Sequence, residues 1–206
     1  LDVAVTIIDV EVIEHEQGLV PGVFFSEYAE GTSNNKYIEI YNGTGAEVDL
    51  SAYSLSSCSN GCDTEGQFDY PANVTFASGT IVAAGDVYVV CHGSASDGIA
   101  AECDQTFTYL SNGDDFFALT DAEATADTYV IIDKIGDFGP DPGDGWDVAG
   151  VANATKDHTL VRKYETMSGN PNWAMSAGTD AATSEWMVEL KPSADFTPPT
   201  LGSHSE

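Results

Sequence analysis

The carboxylates of one short segment are the sharpest chemical feature of the sequence. Asp137, Asp141, Asp144 and Asp147 fall within eleven residues, separated by glycine and proline, in the run DFGPDPGDGWD. Hard cations take about six to eight oxygen ligands, and a Gly-rich acidic loop can bend to supply several of them. Ca²⁺ is the cofactor such a loop would hold. The spacing is not that of an EF-hand, where acidic residues alternate ahead of a glycine. Asn112-Gly113-Asp114-Asp115 is a second, shorter candidate. Turn chemistry explains either loop taken alone, because Asp and Asn bond their own backbone two residues on and tolerate left-handed conformations. On that reading no cofactor is needed.

Nucleophilic chemistry has little support. The histidines are His15, His92, His158 and His204, and Asp157-His158-Thr159 invites comparison with a catalytic triad. A triad is assembled by the fold rather than by adjacency in sequence. Nothing resembles the G-x-S-x-G nucleophile elbow. The simpler reading makes Asp157 and His158 hydrogen-bonding residues at a strand edge. Trp146, Trp173 and Trp186 could form a platform for sugars, but tryptophans in a β-rich chain more often fill its core. No enzymatic activity is expected.

The four cysteines are Cys58, Cys62, Cys91 and Cys103. An even number in a chain rich in Gly, Ser and Thr suits an oxidising compartment, so the expectation is a secreted protein, extracellular or at a cell surface. Three pairings are possible. Cys58–Cys62 and Cys91–Cys103 are favoured because each pair lies in one loop region, the first able to close through a turn at Asn60-Gly61. Zinc is the alternative, given His92 nearby, but the spacings lack the paired C-x₂-C knuckle. Asn42, Asn73 and Asn153 each begin an Asn-x-Thr sequon, which matters only in a eukaryotic secretory host.

Charge narrows the partners. The 206 residues carry 34 Asp+Glu against 6 Lys+Arg, a formal net charge of −28. So few cations cannot neutralise a phosphate backbone, which argues against nucleic acid and equally against an anionic membrane surface. Self-repulsion at this charge favours a saline or divalent-rich medium, where the Debye length falls to about 4–5 Å. Hydrophobic residues make up 42% of the chain, enough for a real core. No apolar run is long enough to cross a bilayer as a helix. The opening LDVAVTIIDVEVIEH lacks a basic region and does not read as a signal peptide, so any targeting segment is expected to have been removed.

The elements that must position these residues read as strands throughout. Val23–Tyr28, Lys36–Tyr41, Tyr53–Ser57, Val74–Phe76, Val87–Cys91, Asp115–Thr120, Tyr129–Ile135, His158–Tyr164 and Trp186–Leu190 are short, rich in Val, Ile, Tyr, Phe and Thr, and bounded by turn residues. One helical turn is expected within Asp97–Glu102. Many short strands without intervening helices indicate a sandwich or barrel. The N-terminal segment differs from the rest. Leu1, Val3, Val5 and Ile7 share one face, then Ile8, Val10 and Val12 share the other, a slip that marks a bulge or a strand passing between sheets. Left unpaired, such a strand invites aggregation. It either pairs within its own sandwich or adds to the edge of a neighbouring subunit.

Several blocks recur together. Val23-Phe24-Phe25-Ser26-Glu27-Tyr28, Lys36-Tyr37-Ile38-Glu39-Ile40-Tyr41-Asn42 and Val48-Asp49-Leu50-Ser51-Ala52-Tyr53-Ser54-Leu55 resemble the opening of a lamin-tail domain. The similarity runs on through Asn112-Gly113-Asp114-Asp115-Phe116-Phe117-Ala118-Leu119, Pro142-Gly143-Asp144-Gly145-Trp146, Asp157-His158-Thr159-Leu160-Val161-Arg162-Lys163 and Leu201-Gly202-Ser203-His204. The later blocks resemble the subgroup found in secreted bacterial nucleases and large surface proteins. The resemblance implies an all-β, immunoglobulin-like β-sandwich that acts as a non-catalytic attachment or interaction module. It places the sandwich over 21–206 and leaves 1–20 as an N-terminal strand extension. The expected function is therefore structural or adhesive: binding a protein partner, or assembling with its own copies into a surface layer or filament by strand addition. The alternatives are an accessory module that targets an extracellular nuclease or other hydrolase, and a carbohydrate-binding module.

Overall fold

The computed structural model describes residues 22–205. The segment Leu1–Ile13, the boundary at residue 20 and the self-association positions Leu1, Val3, Val5, Ile7, Ile8, Val10 and Val12 lie outside the described residues.

The strands are β1 (Val23–Glu30), β2 (Lys36–Asn42), β3 (Val48–Asp49), β4 (Tyr53–Cys58), β5 (Tyr70–Thr75), β6 (Ile81–Val82), β7 (Val87–Cys91), β8 (Gln105–Thr106), β9 (Phe116–Asp121), β10 (Ile131–Ile135), β11 (His158–Arg162) and β12 (Trp186–Leu190). One sheet runs β12-β11-β1-β2-β7-β8, a second runs β10-β9-β4-β5, and β3 and β6 form a small ribbon. All pairings are antiparallel except β7 with β8. The main core lies between the two large sheets, where Phe25, Tyr28, Ile38 and Ile40 meet Leu55, Phe117, Leu119 and Ile135. This is an immunoglobulin-like β-sandwich.

The expected strands are present, two of them with the expected ends: Val87–Cys91 and Trp186–Leu190. The largest displacement is β5, which begins at Tyr70 rather than Val74. Pro71 reads as a breaker, but β5 is an edge strand, and a missing N–H on the open side costs no ladder bond. A helical turn forms at Asp97–Ala100 as expected (α1), and a second, unexpected one forms at Trp173–Ala177 (α2). The Asn172 side chain caps α2 by accepting from the Met175 N–H. The two-residue strands β3, β6 and β8 are too short to leave a periodic signature.

Strand β1 is buried at every position. A bulge at Ser26 separates the Phe25–Ile40 pair from the Glu27–Glu39 pair. The extra residue lets Phe25 and Tyr28 both face the core, while Phe24, Glu27 and Ala29 share the opposite face with Tyr41, Glu39 and Tyr37. That outer face is covered too. Residues 191–205 return across it: Thr32 donates to the Pro192 carbonyl, Leu201 packs with Ala29, Tyr37 and Ile99, and Gly202 donates to Glu39. Gly98 sits so close to Thr197 that a Cβ would lie 2.0 Å from its Oγ1.

Candidate functional site

Six cations serve the whole chain, and one is fully buried. Arg162 on β11 is 0% exposed and pairs with Asp133 on β10, also 0% exposed. Its Nη1 donates to Glu185 at 2.6 Å and to Ser176 Oγ at 3.0 Å, and its Nε donates to the Phe25 carbonyl at 3.1 Å. The guanidinium lies 3.9 Å from the centroid of the Trp186 ring, whose own N–H donates to Ser176. Asp133 also accepts the backbone N–H groups of Phe25, Lys134 and Asn170. Burial pushes the Asp133 carboxyl up, while Arg162 and the Asn170 and Phe25 N–H groups pull it down. Each guanidinium nitrogen and both Asp133 oxygens are engaged, so this cluster ties the two sheets together rather than presenting a reactive group.

A second acidic group lies under the C-terminal segment. Glu27 and Glu39 face each other across β1 and β2, at 1% and 0% exposure. Glu27 accepts from the Tyr37 hydroxyl, and Glu39 accepts from Ser26 Oγ and the Gly202 N–H, both at 2.7 Å. Burial raises both carboxyls, Glu39 to about 8. Beside them a cavity of about 350 Å³ is lined by Phe24, Tyr41, Tyr164 and His204. Burial and the charge of Arg162 lower the His204 pKa, and its Nε2 has no hydrogen-bond partner among the described residues.

The candidate metal ligands are dispersed. Asp137 pairs with Lys134 and accepts the Phe138 N–H; Asp141 accepts the Gly143 N–H. Asp144 pairs with Lys156, and Asp147 accepts the Asn153 N–H. Among the described residues, no group of three or more His, Cys, Asp or Glu side chains is arranged to hold a metal. The segment instead packs Phe138 against Phe68 and Phe116 on the outer face of the second sheet. In the second acidic loop, Asp115 accepts the Asn60 and Asn112 N–H groups.

The cysteines pair as Cys58–Cys62 and Cys91–Cys103, and none is free. His158 bonds the Lys156 carbonyl and Asp157 pairs with Lys191, so the structure joins neither to a serine. Trp173 and Trp186 are core residues, at 5% and 1% exposure, and Trp146 is half-buried. Of the sequon asparagines, Asn42 is buried with its Nδ2 spent on the carbonyls of Ala46, Val82 and Ala83. Asn73 donates to Ser57 Oγ.

A family model for the lamin tail domain matches residues 19–136, more than half of the chain. The chain belongs to the lamin tail domain family. The match takes in β1 through β10, whereas β11, α2 and β12 lie beyond it. Yet β11 pairs with β1 and carries Arg162, so this lamin tail domain is complete only with the residues after the match. No curated protein and no solved structure matches the chain. The lamin tail domain is a non-catalytic immunoglobulin-like fold, often a structural or interaction module. The two disulfides point to an oxidising environment. No helix among the described residues is long and apolar enough to cross a membrane.

Sequence reasoning passed over Arg162, Glu27 and Glu39 as site residues. The signal was present: charged residues inside runs otherwise fit for a strand buried on both faces. No comparable signal marks Tyr70 and Tyr109, the exposed aromatics described below.

Proposed function

We propose that this lamin tail domain is a non-catalytic extracellular module with a structural or adhesive role, holding a partner or further copies of itself by strand addition. The observation that carries the reading is an open sheet edge. Among the described residues β12 pairs only with β11, and its Leu190 is 74% exposed. An edge of this kind offers unpaired backbone groups and an apolar side chain to an incoming strand. The apolar sequence of Leu1–Ile13 is of the type such an edge accepts, and the acidic surface limits indiscriminate contact. The disulfides support an extracellular setting, since such bonds persist in oxidising compartments.

The test compares the full chain with one lacking residues 1–20, by sedimentation and native mass measurement over a range of concentrations at moderate salt. The reading expects the full chain to assemble and the shortened chain to stay monomeric with a similar melting temperature. A Leu190→Lys substitution should weaken assembly too. A full chain that stays monomeric, or a shortened chain that assembles equally well, removes the strand-addition reading.

A further inference from the structure

Exposed aromatic rings are scarce on this surface, and the two most exposed line one cavity. Tyr109 is 78% exposed and Tyr70 is 52% exposed; the other exposed aromatic among the described residues is Phe196, at 38%. Both tyrosines border a concavity of about 440 Å³ beside the Cys58–Cys62 disulfide. Tyr70 comes from the edge strand β5 and Tyr109 from the loop between β8 and β9. Neither hydroxyl is hydrogen-bonded among the described residues. Ser57, Ser59, Asn73 and Asp115 complete the polar lining. Asn73 Nδ2 donates to Ser57 Oγ at 2.9 Å, which orients the amide and leaves its oxygen for a ligand.

The lining also limits the ligand's charge. It contains no Lys or Arg, and the chain as a whole carries −28, so an anionic ligand finds no partner. Asp115, the acidic residue of the lining, accepts the Asn60 and Asn112 N–H groups, one on each carboxylate oxygen, which anchors it to the loop backbone. The uncharged groups of the lining suit a neutral molecule with apolar faces for two tyrosine rings and hydroxyls for the amide, phenol and serine groups. A pyranose ring has that chemistry. We propose that this cavity is a binding site for neutral polysaccharide, with sugar rings packed against Tyr109 and Tyr70 and hydroxyls bonded to Asn73 and Ser57. The site uses none of the tryptophans and is independent of the β12 edge.

Affinity electrophoresis tests the proposal with the full, disulfide-bonded chain in native gels. The gels contain a mixed-linkage β-glucan, a galactomannan, a xylan or a soluble α-glucan, with alginate as the anionic counterpart. At least one neutral polymer should retard the wild type, and alginate should not. Tyr109→Ala should weaken the retardation at least tenfold and Tyr70→Ala severalfold, while Tyr109→Phe, which keeps the ring face, should stay within about threefold of wild type. Both tyrosines are exposed, so these variants should keep the wild-type melting temperature. Failure of all four neutral polymers to retard the chain, or equal retardation of Tyr109→Ala and wild type, overturns the proposal. So does a concentration-dependent dimer that Tyr109→Ala abolishes, which would give the cavity to a second copy.

Discussion

Replacing Glu39 with glutamine tests whether the carboxylate pair beneath the C-terminal segment is held protonated. Glu27 and Glu39 are directly opposed on one sheet face, where like charges repel, and both are buried. Desolvation, with the charge of Glu27 adding to it, raises Glu39 from 4.5 to about 8. At neutral pH the folded chain holds a proton there that the unfolded chain releases. The stabilisation from this proton is fully present below the unfolded value and is lost as pH rises through the folded one. From about pH 6 to about pH 8.5 the loss is roughly 2–3 kcal/mol, at about 1.4 kcal/mol per pKa unit. For a chain of this size that lowers Tm by about 5–10 °C. Glutamine can keep both hydrogen bonds, its oxygen accepting from Gly202 and its amide donating to Ser26, and it cannot ionise. Calorimetry at fixed ionic strength should therefore show a falling Tm in the wild type and a shallower fall in Glu39→Gln, which keeps the raised Glu27 carboxyl. The variant should be the more stable of the two at the alkaline end. The lowered His204 pKa acts with the opposite sign toward acid and is common to both proteins, so the difference reports Glu39 together with its coupling to Glu27. A wild-type Tm that stays level over this range, or a Glu39→Gln variant with the wild-type slope, refutes the reasoning.

Arg162→Met leaves Asp133 buried without its cation and should cost about 3–5 kcal/mol in urea denaturation. A loss under about 1 kcal/mol would show that the pair does not hold the sheets. Replacing Cys91 and Cys103 with alanine opens a loop of sequence separation 12 and should cost about 2–4 kcal/mol, read from the same curves. Non-reducing peptide mapping should recover only the Cys58–Cys62 and Cys91–Cys103 pairs. Stability should fall at low ionic strength because of the −28 charge, and Ca²⁺ should raise Tm no more than another divalent ion at matched ionic strength, since the four loop carboxylates have separate partners. A Ca²⁺-specific rise that Asp144→Asn removes would show that the loop rearranges to hold the ion.

Local pattern was sufficient for much of this protein. Alternating Val, Ile, Tyr and Phe between turn residues placed the long strands, because side-chain direction alternates along a strand whatever it packs against. The cysteine pairs were legible because each closes a loop of short separation, where few geometries compete. The acidic composition argues against phosphate-rich partners by charge alone. What pattern could not supply is which strands become neighbours and what covers their outer faces. The β11 strand lies beside β1 although more than a hundred residues separate them, and only that pairing brings Arg162 to Asp133. Glu27 and Glu39 stand out locally as charged residues within apolar runs, but nothing local says what covers them. They are buried because the C-terminal segment folds back across the sheet and Gly202 reaches Glu39. Asp137, Asp141, Asp144 and Asp147 are close in sequence, yet each turns to a nearer cation or backbone N–H, since proximity along a Gly-rich chain sets no common direction for side chains. Tyr70 and Tyr109 are nearly forty residues apart, and their common cavity exists only because an edge strand and a loop meet beside the Cys58–Cys62 disulfide.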